Sequence, residues 1–299
     1  MLKGIATFFV TLCMSQSLLA QAARPMVEKI WVSQSQSWLT LEQFRAEIQA
    51  GDILVVGEQH ATEASLGARV HQANQLRLMQ ELGGTHRISL GMEFFPYPAQ
   101  RAVDLYLLGQ LPEDDFLREV KWGGNTFSLY RPQVLEPLET GGRTLALNIP
   151  REISSKVGRG GPESLTPAEQ SLLPPLWELG SAPYFERFSE VMAGHASEQQ
   201  LTNYFWAQSL WDDTMAWKIS QHRLSVTDDV LVVIVGEFHS EFGHGLPDRL
   251  ERYSLEQVKT MIQSEVTEWT EKGLAAVVSP HMKYGARADY IWVYQLSPE

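Results

Sequence analysis

Six residues, Val55-Val56-Gly57-Glu58-Gln59-His60, return near the other end of the chain as Ile234-Val235-Gly236-Glu237-Phe238-His239. Each copy closes an apolar, β-branched run, Ile53-Leu54-Val55-Val56 in the first and Leu231-Val232-Val233-Ile234-Val235 in the second. Runs this short, apolar throughout rather than alternating, read as buried strands of a mostly parallel sheet, whose strands are covered on both faces. In both, the glycine ends the strand and Glu-x-His leaves it. Residues two apart in an extended chain point to the same side. Each glutamate is therefore expected beside its own histidine, just past a strand's carboxyl end. One copy alone reads equally well as a strand-end turn with a solvated glutamate and a capping histidine. Two copies, each after a buried strand, point to one sheet edge carrying the same chemistry twice. That edge is where open α/β sheets bind their ligands.

The rest of the chain supplies the alternation such a sheet needs. Thr40 reads as an N-cap with Gln43 as its capping-box partner, opening a helix with Leu41, Phe44 and Ile48 on one face. A second helix is predicted over 62–82, with Leu66, Val70, Leu76, Met79 and Leu82 at helical spacing, stopped by Gly83-Gly84. Arg87 to Phe95 is a strand containing Gly91-Met92-Glu93, which brings a third glutamate to a strand end. Helices follow from Ala99 to Leu108 and from Tyr130-Arg131-Pro132 to Gly141-Gly142. The strand Thr144 to Leu147 then leads into Asn148-Ile149-Pro150-Arg151. This order predicts an α/β fold, a mostly parallel sheet flanked by helices. Gly158 to Gly161 reads as a linker, and from Thr166 to Arg223 every signal is helical. The expected organisation is an α/β domain of residues 23–157 and 226–299 with a smaller α-helical subdomain, 158–225, inserted in it. The longest helix, 198–222, has a stripe of Leu201, Phe205, Gln208, Asp212, Met215 and Ile219. Its polar members, Gln208 and Asp212, are either a buried hydrogen-bonded pair or the border of the site. Late strands are predicted at Glu256 to Ile262, Ala275 to Val278 and Tyr290 to Tyr294.

The first 22 residues combine a basic start (Lys3), a short apolar core and Ala20-Gln21-Ala22, the pattern of a secretory signal peptide. The only cysteine, Cys13, lies within it, so cleavage after Ala22 would leave a chain without disulfides or thiolate ligands. Leu12 before Cys13 does not suit a lipid-attachment site. A net charge of −12 argues against a nucleic-acid partner, which needs basic surface, and against an anionic membrane face.

The strand ends gather Glu58, His60, Glu93, Glu237 and His239. Carboxylate with neutral imidazole suits a first-row ion such as Zn, Mn or Fe. His60, His239 and Glu237 are the candidate metal ligands. An open coordination position would make the site hydrolytic, with Glu58 or Glu93 as general base. Clustered carboxylates also repel one another and require a cation, a proton or an arginine among them. Arg151 and Arg249 are the candidate anchors for an anionic group, unless they serve in ion pairs.

Taken in order, a set of segments resembles the ChaN family of haem-binding uptake proteins, within the wider Tiki/TraB-like superfamily. They are Gly57-Glu58-Gln59-His60, Gly91-Met92-Glu93-Phe94-Phe95, Trp122 with Tyr130-x-Pro132, Leu147-Asn148-Ile149-Pro150-Arg151, Gln208 with Asp212-Asp213-x-Met215-Ala216, and Gly236-Glu237-Phe238-His239 with Gly245-x-Pro247. The resemblance spans about 52 to 250. It implies an α/β domain with a smaller helical one, and haem binding in bacterial iron acquisition at the periplasm or outer membrane, in partnership with an outer-membrane haem-uptake system. It also implies a tyrosine on the haem iron and a homodimer enclosing two haems face to face. Tyr130 is the motif tyrosine and the candidate ligand, with Tyr97 and Tyr106 as rivals. The superfamily implies the other class of function, metal-dependent peptide hydrolysis through His60 and His239.

Overall fold

The structure is a computed structural model, and it describes residues 25–60, 66–194, 197–255 and 257–297. The expected signal peptide and Cys13 lie outside the described residues. Eight strands form one sheet: β1 Val27–Val32, β2 Ser37–Leu39, β3 Ile53–Glu58, β4 Ile88–Pro96, β5 Thr144–Asn148, β6 Val230–Gly236, β7 Val258–Glu265 and β8 Tyr290–Gln295. Their order across the sheet is β2-β1-β8-β7-β3-β6-β4-β5. From β8 to β5 every neighbour is parallel, and the β1–β2 hairpin adds an antiparallel edge through β1 against β8. The two strands that carry the doubled motif are neighbours, with Gly57 opposite Val235 and Glu58 opposite Gly236. β4, which brings Glu93, pairs with the other side of β6. Both motifs and the third glutamate thus leave the same carboxyl edge at the centre of the sheet.

Alternate residues of the central strands feed two separate cores, as the two-residue period of a strand requires. Leu54, Val56, Leu90, Met92, Val232 and Ile234 face one layer, whose helices contribute Phe44, Met79, Val103, Phe116 and Tyr130. Val55, Leu147, Leu231, Val233 and Val235 face the other, with Met215, Ala216 and Ile219 of the long helix Glu198–Arg223. The long helix is therefore a direct cover of the sheet, which is what places Gln208 and Asp212 above the strand ends. Thr40 and Gln43 form the expected capping box.

Three expectations are corrected. Gly158 to Gly161 is no linker: helix Arg151–Gly160 runs through it, and Gly158 is buried against Tyr204 and Ala207 of the long helix. Only Gly161, at φ +78°, ends the helix. The run at Ala275 to Val278 is not a strand but the end of helix Glu271–Val278, capped by Thr270. Leu274, Val277 and Val278 pack beside Ile262 and Ile291, a helical spacing that a four-residue apolar run conceals. The helix expected to open at Tyr130 begins at Phe127 and carries Pro132 inside it.

Candidate functional site

The first motif behaves as its extended geometry requires. Glu58, its side chain fully buried, accepts at Oε1 from His60 Nδ1 at 3.2 Å, and the His60 side chain is 44% exposed. The same oxygen accepts from the Tyr130 hydroxyl at 2.5 Å, while Oε2 accepts from the Gln72 and Gln75 amides at 2.9 and 2.7 Å. Four donors around one buried carboxylate keep its charge satisfied without a cation. Burial works to lower the pKa of His60, but the Glu58 hydrogen bond and the charges of Glu93 and Glu58 outweigh it and leave it raised.

The second motif departs from that geometry. Gly236 is followed by a 3₁₀ turn, Glu237–His239, in which residues two apart no longer share a side. Glu237 turns toward Arg287, 3.9 Å away, and its pKa is raised by burial and by Glu241. His239 turns inward and is 4% exposed. Its Nδ1 lies 2.6 Å from Asp212 Oδ1, and its Nε2 lies 3.5 Å from Glu93 Oε1. Tyr184 donates to the second Asp212 oxygen at 2.9 Å, and the Gln208 amide donates to the Tyr184 hydroxyl at 3.0 Å. The other Glu93 oxygen accepts from the Gly236 N–H at 2.6 Å. Burial opposes a charge on His239, yet Asp212 and Glu93 on either side raise its pKa to about 9. An imidazolium between two carboxylates is thus the cation that the clustered acids demand.

The two glycines explain why the motif is doubled. A Cβ on Gly57 would meet Ser240 Oγ at 2.4 Å and Glu237 Cα at 3.0 Å. A Cβ on Gly236 would meet His60 Cε1 at 3.1 Å and Nε2 at 3.2 Å. Each glycine makes room for the chain that leaves the other strand.

His60 and Glu93 line a cleft of about 590 Å³. Its walls are mostly apolar and flat: Phe94, Pro96, Trp122, Ile149, Pro150 and Trp211, with the exposed Lys121 and Arg151 at its border. The Phe94 ring stands between the His60 ring, at 5.1 Å, and the Tyr130 ring, at 5.0 Å. Lys121 pairs with Glu152, also on the lining.

Several assignments made from sequence change here. Glu237 does not join His60 and His239, and among the described residues no group of three or more His, Cys, Asp or Glu is placed to hold a metal ion. Glu58 is enclosed by four donors rather than set to accept a proton from water, and Glu93 is engaged on both oxygens. Arg249 is fully buried away from the cleft, on Asp213 at 2.8 Å and Asp248 at 2.9 Å, and is a structural ion pair. Tyr130 is wholly buried and bonded to Glu58, so its oxygen does not reach the cleft. Tyr97 bonds the Leu172 carbonyl and Tyr106 bonds Glu113. Arg151 does line the cleft. Asp212 bonds the motif histidine itself, and Gln208 donates to the Tyr184 hydroxyl that holds Asp212. Sequence reasoning missed Gln72, Gln75, Tyr184 and Trp211; the one signal available was that Gln72 and Gln75 stand three residues apart, on one face of the predicted helix 62–82.

The model of the haem-binding uptake family, Tiki superfamily, ChaN, matches residues 44–250. No curated protein matches in sequence. Among solved structures, ChaN of Campylobacter jejuni with cofacially bound haem superposes with a TM-score of 0.62 at 14% identity, covering 89% of this chain and 96% of that one. That likeness shows the shared fold. An erythromycin esterase, EreC, in its open conformation reaches 0.43 at 12% identity over 88% of this chain and 82% of its own, a likeness too low to argue from. With the family model covering more than half of its length, the chain belongs to the ChaN family of haem-binding uptake proteins in the Tiki superfamily.

Proposed function

We propose that this is an exported haem-binding protein of a bacterial haem or iron uptake system, and that haem occupies the cleft at the carboxyl edge of β3, β4 and β6. The observation that carries the site is the lining itself. Flat aromatic and proline side chains suit a macrocycle, the exposed Arg151 suits its propionates, and His60 offers a nitrogen donor. The volume falls in the range of sites that enclose a small ligand. Family membership supports the ligand, and the basic-apolar-Ala-x-Ala start supports export. We further propose that haem loading pairs two copies over their clefts, in association with an outer-membrane uptake system, as the resemblance implies. A haem titration of the purified protein, followed by absorbance, tests the reading: a saturable, stoichiometric Soret shift is expected, and its absence refutes it. Sedimentation with and without haem reads the pairing, and the exported form is expected to begin at Ala23.

A further inference from the structure

We propose that the protein ligand of the haem iron in this chain is His60, with Glu58 as the residue that positions it. The assignment rests on haem occupying the cleft, as proposed above. A tyrosine is what the family resemblance implies, yet none of the nine tyrosines, all within the described residues, lines the cleft. Tyr130 is sealed beneath Phe94 with its hydroxyl on Glu58. Of the other donors on the lining, Glu93 is held by the Gly236 amide on one oxygen and faces His239 with the other, Lys121 and Glu152 are paired with each other, and Glu119 is an exposed carboxylate, a donor less suited to haem iron than imidazole.

His60 has what a ligand needs. Its side chain is 44% exposed. Its Nδ1 is committed to Glu58 at 3.2 Å, which directs the proton there and leaves the Nε2 lone pair for a metal. Glu58 is itself immobilised by Tyr130, Gln72 and Gln75, the outer-shell carboxylate support that ligating histidines characteristically have. Gly236 keeps bulk away from the coordinating side, since a Cβ there would stand 3.2 Å from Nε2.

The test is resonance Raman spectroscopy of the full protein loaded with haem. The ferrous wild-type complex is expected to show an iron–imidazole stretching band. In His60→Ala, whose partly exposed position spares the fold (checked by circular dichroism), the band is lost and haem binds about tenfold or more weakly. Added imidazole restores the band. In Glu58→Gln the band persists and moves to lower frequency, because the imidazole loses its anionic partner. Iron–phenolate bands in the ferric wild type, or an unchanged spectrum in His60→Ala, overturn the assignment while leaving haem binding intact. Absence of any Soret shift in the wild type overturns the haem reading and this one with it.

Discussion

The buried His239 makes stability depend on pH in a defined direction. Its pKa is raised from 6.5 to about 9 in the folded chain, after burial is offset by Asp212 and Glu93. Between those two values the folded state holds a proton that the unfolded state has released. The contribution is therefore complete below about pH 6.5, declines as pH rises, and is gone above about 9. At about 1.4 kcal/mol per pKa unit, it amounts to on the order of 3 kcal/mol. For a chain of this size that is a fall in Tm of roughly 6–10 °C. The assay is urea unfolding at closely spaced pH values from 6 to 10, for wild type and His239→Gln. Asp213 and Glu136 also titrate high, each at about 7, through burial. Their contributions cancel when the two profiles are subtracted. The difference is expected to shrink as pH rises from about 7 to about 9.5. In the same range the His239 Cε1 proton should titrate in the NMR spectrum, with a lower midpoint in Asp212→Asn. Parallel stability profiles, together with a His239 midpoint at or below about 6.5, would refute the imidazolium between two carboxylates.

Other consequences are open to measurement. Gly57→Ala places a Cβ 2.4 Å from Ser240 Oγ and 3.0 Å from the Glu237 backbone, so the turn must move. A loss of about 1–3 kcal/mol in urea unfolding is expected, and an unchanged midpoint counts against the reciprocal packing of the two motifs. Tyr130→Phe removes a buried donor from Glu58 and should cost about 1–3 kcal/mol while leaving the ferric haem spectrum unaltered. Loss of a phenolate band in that variant would show that the tyrosine reaches the iron after all. Arg151→Glu should weaken haem binding about tenfold in an absorbance titration, with the iron-ligand bands unchanged; equal affinity would remove Arg151 as the propionate anchor.

The fold was legible where local pattern and burial agree. The runs Ile53-Leu54-Val55-Val56 and Leu231-Val232-Val233-Ile234-Val235 had no alternative to a covered strand, so the neighbourhood of the two motifs followed from one parallel sheet. Gln208 and Asp212 stood out because polar residues in an apolar helical stripe need partners, and these proved to be Tyr184 for Gln208 and His239 for Asp212. The failures share a cause. The turn after Gly236 is 3₁₀ where that after Gly57 is extended, and the six-residue pattern is too short to distinguish them. Arg249 lies just after the second motif in sequence, but helix Leu246–Arg252 carries it to Asp213 on the long helix. Tyr184 is brought to Asp212 from a helix 28 residues upstream, by packing that no local spacing records.

The two copies of the motif have unequal tasks, and burial tells them apart. His60 leaves 44% of its side chain exposed to the cleft, whereas His239 leaves 5% and is closed in by Asp212, Glu93 and Gln208. A carboxylate supports each ring, yet Glu58 holds His60 from behind and leaves its far nitrogen free, while Asp212 and Glu93 occupy both nitrogens of His239. The first arrangement suits a ligand, the second a fixed positive charge binding the edges of β4 and β6 to the long helix. The same substitution in the two places should therefore separate binding from stability. His60→Ala is expected to change the haem spectrum and to cost about 1 kcal/mol, since Glu58 Oε1 loses one donor but keeps Tyr130. His239→Ala leaves Asp212 buried without its counter-ion and should cost about 3–5 kcal/mol. If the two variants lost stability equally, the division of labour between the motifs would fail, whatever their effect on haem.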